Sequence, residues 1–361
     1  MSSKRANFWL KLKKNSNILA LAPMAGITDS AFRILCREMG ADVVYSEMVS
    51  ADALYYDSKK TIKMLKINKK EHPVVIQLFG KRLELFGKAA KIAEDAGADG
   101  IDINFGCPAK KVVNHGGGVV LMRNLPLCRE IIKTVIAAVN IPVSVKIRAG
   151  INFNKTIKQQ NNETIEIGIN LKSPVTFISN KGEKVMVTAL DFMKNIIDIP
   201  IAAIMIHGRT YEQGFSGDID YEMIKRVVEL AGGKIAVLGN GGINTIADAE
   251  SMIAKTGVDG VGIAQGALGK PWIFREIKEY MEKNANQRKY ESQSTRISID
   301  EIKKIAIRHA KLAYKMKGDY GIVEMRKHLL WYVKGFPNAK ELRDKLVRVE
   351  NSKDIKEVFN F

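Results

Sequence analysis

Eight short runs of apolar, mostly β-branched residues recur along the chain, and their spacing is the strongest constraint on its fold. They are ILALA (18–22), DVVYS (42–46), PVVIQLF (73–79), GIDIN (100–104), VSVKI (143–147), AAIMIH (202–207), KIAVLG (234–239) and GVGIA (260–264). The segments between them are long enough for helical crossovers, which parallel strands need and hairpins do not. AEDAGADG and MIAKTGVDG each end a helical pattern on glycine and lead straight into the next run, a helix-to-strand turn used at least twice. Eight parallel strands with intervening helices remove their exposed edges by closing on themselves, so the pattern predicts an α/β fold, a (β/α)8 or TIM barrel.

In such a barrel the loops after the strand C-termini share one face, where chemistry gathers. Polar, flexible or otherwise unusual residues stand at all eight ends. They are Pro23, Met24 and Ala25; Glu47 and Met48; Gln77; Asn104 and Cys107; Lys146 and Arg148; His207; Asn240, Gly241 and Gly242; and Gln265 and Gly266. The fourth is the most pointed, because IDINFGCP (101–108) ends a buried-looking strand on a thiol followed by proline. On such a loop a thiol can act as nucleophile or proton donor, or be an inert small hydrophobe.

One segment interrupts the rhythm. Residues 151–189 occupy the place of a short loop, and VTFISNKGEKVMVTA within them reads as two alternating strands about an Asn-Lys-Gly turn, either a substrate lid or a tolerated insertion. A polar stretch at 283–297 then reads as a linker. Ser298 and Glu301 next form a candidate capping box ahead of an apolar stripe of Ile302, Ile305, Ala306, Ala313 and Met316. EMRKHLLWYVKGFP continues the helical pattern and stops at Gly335 and Pro337. The expected layout is a barrel domain over 15–282 carrying an insertion at about 151–189, followed by a small all-helical domain over 296–361.

The formal charge of +18 favours an anionic partner. Lys303, Lys304, Arg308, Lys311 and Lys315 lie opposite the apolar stripe, near Tyr314, Trp331 and Tyr332. This face is either solvated surface or a phosphate-contacting one. Three scattered cysteines do not make a disulfide framework. The basic N-terminus lacks the apolar core of a signal peptide and no apolar run reaches membrane-spanning length, so the expectation is a soluble, cytoplasmic protein.

Two glycine-rich turns, GNGG (239–242) and QGALG (265–269), follow the last two strands, the usual phosphate corner of a barrel. They suit flavin mononucleotide, a sugar phosphate or a nucleotide. Lys146 near a strand end calls for a bound anion, an electron-rich cofactor or a carboxylate such as Asp102. His207 is either a donor to a cofactor carbonyl or a core histidine. The five histidines show no metal-ligand spacing, so no catalytic metal is expected.

Several motifs together carry a resemblance. LAPMAGITDSAFR (21–33), SEM (46–48), IDINFGCPAKKVVNHGGG (101–118), SVKIRAG (144–150), IHGRT (206–210), GNGGI (239–243) and GALGKPWIF (266–274) are similar, in this order, to those of the tRNA-dihydrouridine synthase family, in its bacterial form. The resemblance runs over nearly the whole chain, HLLWYVKGFP included. It implies an FMN enzyme, reduced by NADPH or NADH, that converts uridines of tRNA to 5,6-dihydrouridine.

The resemblance also implies roles. Cys107 matches the general acid that protonates uracil C5, and Asn104 matches the residue holding the base. Lys146 and His207 match a lysine and a histidine near flavin and substrate, with Arg209 on the substrate side. Pro23, Met24, Ala25 and Gln77 match flavin-contacting positions, and Asn240, Gly241, Gly242, Ala264, Gln265 and Gly266 the phosphate corner. Lys304, Arg308, Lys311, Arg326, Lys327 and Lys334 are the expected RNA contacts, and a monomer is expected. The chain departs from the family at Gln265, where many members carry arginine, and in the length of 151–189. Two other classes compete: a flavin barrel acting on a small molecule, and an RNA-binding protein without catalysis.

Overall fold

The computed structural model describes residues 7–15, 17–155, 157–160, 163–166, 183–285 and 297–360. Twelve strands are present among them: β1 (Ile18–Leu21), β2 (Val43–Ser50), β3 (Val74–Phe79), β4 (Gly100–Phe105), β5 (Val143–Arg148), β6 (Gly150–Lys155), β7 (Ile157–Gln160), β8 (Glu163–Glu166), β9 (Glu183–Thr188), β10 (Ala203–His207), β11 (Ala236–Asn240) and β12 (Gly260–Ile263). Eight of these close into a parallel barrel in the order β1-β12-β11-β10-β5-β4-β3-β2. They coincide with the eight runs read from the sequence to within a residue or two, except that β2 continues to Ser50. It runs on through a register shift between Tyr45 and Met48, so that Ser46 and Glu47 sit at a bulge.

Each strand serves two layers. On β4, Ile101, Ile103 and Phe105 pack outward against the helices, which leaves Asp102 and Asn104 on the inner side, both buried. The lower interior is apolar, filled by Ile18, Ala20, Val43, Tyr45, Val75, Met205 and Leu238 together with Trp9. Trp9 belongs to a helix, Phe8–Asn15, that lies ahead of the boundary expected at 15. This helix forms the barrel floor. Lys13 Nζ donates to the carbonyls of Gly233 and Ile235 at 3.1 and 3.2 Å and pairs with Asp259.

In the insertion, β9 pairs antiparallel with β6, and β7 with β8. The second arm of the hairpin read at 175–189 is therefore a strand, with β6 as its partner. Its first arm and its turn lie outside the described residues.

Of the C-terminal helices Ile299–Lys317, Asp319–Tyr332, Ala339–Leu346 and Ser352–Phe359, the first two pack on the barrel helix Ser30–Glu38 and the last two pack on the first two. Phe32 stacks on His309 at 5.4 Å and meets His328 at 5.1 Å. Lys317 pairs with Asp29 at 2.8 Å, and Arg308 Nε donates to Glu38 at 3.0 Å. Ser298 caps its helix by accepting from Glu301 N at 3.2 Å. The reciprocal half of the capping box is not made, because the Glu301 carboxylate turns to Arg275 of the barrel at 2.9 Å.

Candidate active site

The barrel interior changes character above the apolar floor. Parallel register sets Gln77 beside Asp102 and Asp102 beside Ser144, and one step higher Asn104 beside Lys146. Asp102 is fully buried and accepts from Gln77 Nε2 at 2.7 Å and from Ser144 Oγ at 2.7 Å. Burial pushes its carboxyl up to about 6, against the pull of those two donors and of Lys146. The bulge in β2 serves the same layer, since Gln77 N donates to Ser46 Oγ at 3.0 Å.

Asn104 links this layer to the turn after β4. Its Nδ2 donates to Gln77 Oε1 at 2.8 Å, with Met48 Sδ at 3.1 Å, and its Oδ1 accepts from the N–H groups of Gly106 and Cys107 at 3.0 and 2.8 Å. The turn folds closely over Gly118, where a Cβ would lie 2.7 Å from the Cys107 carbonyl oxygen and where φ is +64°. Cys107 itself is half-buried. Burial raises its thiol pKa above the ordinary value, opposed by a backbone hydrogen bond at Ala109 and by the charges of Lys146 and Arg148. Its proton therefore stays on at neutral pH.

Across the mouth, Lys146 Nζ donates to Asn240 Oδ1 at 2.9 Å, and Asn240 Nδ2 donates to the Gly262 carbonyl at 2.7 Å. The hydrogen-bond partner of Lys146 is thus Asn240 rather than Asp102. Burial and the neighbouring Arg148 lower its ammonium to about 8, offset in part by Asp102 and Cys107. Burial, Lys146, Arg148 and Arg209 hold His207 down to about 2, so its ring is neutral. Its Nε2 is buried and has no partner, an unsatisfied group that a ligand atom would satisfy. Gly241 lies against this ring, where a Cβ would fall 2.4 Å from His207 Cδ2.

Both Gly241 (φ +106°) and Gly242 (φ +71°) take left-handed backbone. A Cβ on Gly266 would fall 2.1 Å from the Ile243 carbonyl oxygen, so the two phosphate-corner loops touch through glycine. Ala264 is half-buried and Gln265 is exposed. These residues fit a phosphate-bearing ring cofactor, with bare backbone turns at Gly241, Gly242 and Gly266 and the orphaned His207 nitrogen beside the first of them. On the β1 side, Pro23 and Met24 are half-buried and Ala25 is exposed. Met24 N donates to Thr28 Oγ1 at 3.2 Å, and Gly26 N donates to Glu47 Oε1.

Three residues matter more than sequence reasoning allowed. Asp102 and Ser144 look like ordinary strand positions until register sets them side by side. Arg148, whose side chain is almost wholly buried, donates to the carbonyls of Gly106, Thr210 and Gly214 at 2.8–2.9 Å. It thereby ties the Cys107 turn to the loop after β10, and its guanidinium lies 5.4 Å from the ring of Phe215, which is 65% exposed. Arg209 is half-buried and donates to the Gly217 carbonyl at 2.8 Å.

Of the expected RNA contacts, Lys304, Lys311 and Lys334 are exposed and Lys327 is half-buried. Arg308 is paired with Glu38, and Arg326 donates to the Val349 carbonyl at 2.9 Å.

A family model described as Dihydrouridine synthase (Dus) matches residues 20–171 and 169–360. The chain is 34% identical over 338 residues to a tRNA-dihydrouridine synthase B of Pseudomonas putida, covering 93% of this chain and 88% of that protein. It is 34% identical to a probable tRNA-dihydrouridine synthase of Rickettsia bellii, covering 92% and 90%. A further relative, from Synechocystis sp., is named probable tRNA-dihydrouridine synthase 1 and is 31% identical, covering 94% and 84%. Among solved structures, histamine dehydrogenase from Rhizobium sp. 4-9 superposes with a TM-score of 0.50 at 12% identity, covering 82% of this chain and 49% of that one. That likeness is one of fold.

Proposed function

The chain belongs to the dihydrouridine synthase family, and from that premise we infer that it binds a flavin and reduces uridines of tRNA to 5,6-dihydrouridine at the barrel mouth. One observation supports this reading above the rest: a half-buried thiol that keeps its proton, on a turn fixed by Asn104 and facing the charges of Lys146 and Arg148. A thiol of raised pKa is a poor nucleophile and a serviceable acid.

The flavin, FMN in this reading, supplies hydride to C6 of the uracil when bound. His207 Nε2, Lys146, Pro23 and Met24 would hold its ring, and Gly241, Gly242 and Ala264 to Gly266 its phosphate. Hydride addition moves electron density toward C5 and the C4 carbonyl of the base, so a proton must arrive at C5. Cys107 Sγ–H gives that proton. Asn104 has one amide hydrogen on Gln77 and the other toward Met48, a weak sulfur acceptor. A base carbonyl can therefore take that second hydrogen in place of the Met48 sulfur, without moving the amide or releasing the Cys107 turn. Lys146, desolvated but still cationic at neutral pH, balances the negative charge that develops in the site.

The target base must leave its stack to reach this depth. The exposed lysines of the C-terminal helices, Lys304, Lys311 and Lys334, with Lys327 nearer the barrel, supply phosphate contacts for the surrounding RNA. NADPH or NADH is the electron donor, the enzyme acts as a monomer, and tRNA as substrate places it in the cytoplasm.

The test is direct. Purified protein is incubated with FMN, NADPH and unmodified tRNA, and dihydrouridine is mapped by position against a control lacking enzyme. Signal confined to one or two positions is expected. Flavin that binds and is reduced without any dihydrouridine appearing would overturn the assignment.

A further inference from the structure

A buried acid that the mechanism does not use lies beneath Asn104. We propose that Asp102 is a positioning residue: it sets the direction of the hydrogen-bond chain that runs from the barrel interior to the turn carrying Cys107. This rests on the reading of Cys107 as the proton donor, but the geometry stands apart from it.

An ionised carboxylate only accepts hydrogen bonds, whereas a carboxamide presents nearly the same shape whichever way its oxygen and nitrogen face. Asp102 occupies one end of the chain. Because Oδ2 can only accept, Gln77 must turn Nε2 toward it, at 2.7 Å, and so offers Oε1 on its other side. Asn104 must then turn Nδ2 toward that oxygen, at 2.8 Å, leaving Oδ1 for the two backbone donors of the turn, Gly106 N and Cys107 N. Ser144 Oγ occupies the other carboxylate oxygen at 2.7 Å, so the charge is engaged on both sides. Gln77 and Asp102 are fully buried and Asn104 is 5% exposed, so bulk water offers these groups little alternative partnering.

The Asp102→Leu variant removes this fixed acceptor at its source. Asparagine would not, because the Ser144 hydroxyl accepts as well as donates and lets a new amide turn Oδ1 to Gln77 and Nδ2 to Ser144. In Asp102→Leu, Gln77 Nε2 loses its acceptor and the Gln77 amide is no longer held to one orientation. When it flips it presents Nε2 to Asn104 Nδ2, and the Cys107 turn loses its fixed support. A charge swap repairs the order. In Asp102→Leu/Gln77→Glu, the carboxylate at position 77 can only accept from Asn104 Nδ2, and Asn104 recovers its original orientation.

The experiment measures the iodoacetamide alkylation rate of Cys107 without substrate, alongside flavin content, melting temperature and single-turnover uridine reduction. Cys36 and Cys128 are buried, which makes mass-mapped alkylation at Cys107 a clean readout. Asp102→Leu is expected to alkylate severalfold faster as the turn loosens. It should reduce uridine about 10- to 100-fold more slowly, with flavin content held.

The charge swap should return the alkylation rate to the wild-type value. Gln77→Met, which cuts the chain and keeps Asp102, should alkylate like Asp102→Leu and carries the test if that variant does not fold. Wild-type alkylation in Gln77→Met, or a charge swap that alkylates like Asp102→Leu, would overturn the proposal. Should the protein make no dihydrouridine at all, the function proposed above fails, while the alkylation series still decides the role of Asp102.

Discussion

At the residue scale the site is a set of neutral and charged groups kept in chosen protonation states by burial. Cys107→Ala removes an acid and little else, so base reduction should fall by about 10²- to 10⁴-fold while flavin and tRNA binding persist. Single-turnover rates with pre-reduced flavin measure this, and comparable rates for variant and parent would remove Cys107 from the chemistry. The rate should also follow a bell in pH. Below about 6 Asp102 takes a proton and ceases to be a pure acceptor, and above about 8 Lys146 loses its charge. Asp102 is faced by Gln77, Ser144, Tyr45 and Lys146, so the acid limb belongs to that group as a whole. Lys146→Arg should move the alkaline limb up to the one set by loss of the Cys107 proton, whereas His207, neutral down to about 2, contributes no limb. Much of this site was legible in the sequence because polar residues at strand ends stand out against apolar runs. The pairings were not: Lys146 and Asp102 looked like partners, and only the barrel register shows that Asn240 takes the first while Gln77 and Ser144 take the second.

At the element scale the C-terminal helices dock through a buried aromatic seam rather than through charge alone. His309 is held down to about 4 and His328 well below its ordinary range, in both cases chiefly by burial against Phe32 and its surroundings. A histidine that is neutral when folded takes up its proton only on unfolding, so its contribution to stability is full above about 6.5 and shrinks as pH falls toward 4. For His309 the two limits differ by roughly 3 kcal/mol. The decline in melting temperature from pH 7 to 5 should therefore be shallower in His309→Gln than in the parent. Equal slopes in scanning fluorimetry would contradict this. The barrel elements were readable because outward-facing β-branched residues must pack on helices in every repeat. The helix Phe8–Asn15 was not, because its anchoring depends mainly on one residue, Trp9, whose burial no periodicity signals.

For the whole molecule, the net charge of +18 makes tRNA affinity a function of salt. Replacing Lys304, Lys311 or Lys334 with alanine should each lower the slope of log K against log salt by roughly 0.7–0.9 for every phosphate left without its lysine. Arg326→Ala should instead lower the melting temperature and leave the slope alone, because its guanidinium already holds the Val349 carbonyl. Filter binding across a salt series separates the two, and identical slopes in all the lysine variants would move the RNA to another face.

Barrel closure has a consequence for how such a chain is made. Ile18 pairs with Gly260, so the first strand stays unpaired on that edge until the last has left the ribosome. At roughly 5–20 residues per second the wait over ~240 residues is about 10–50 s. Throughout that interval the nascent chain carries an open apolar sheet edge, the kind of surface that cellular holdases are built to cover.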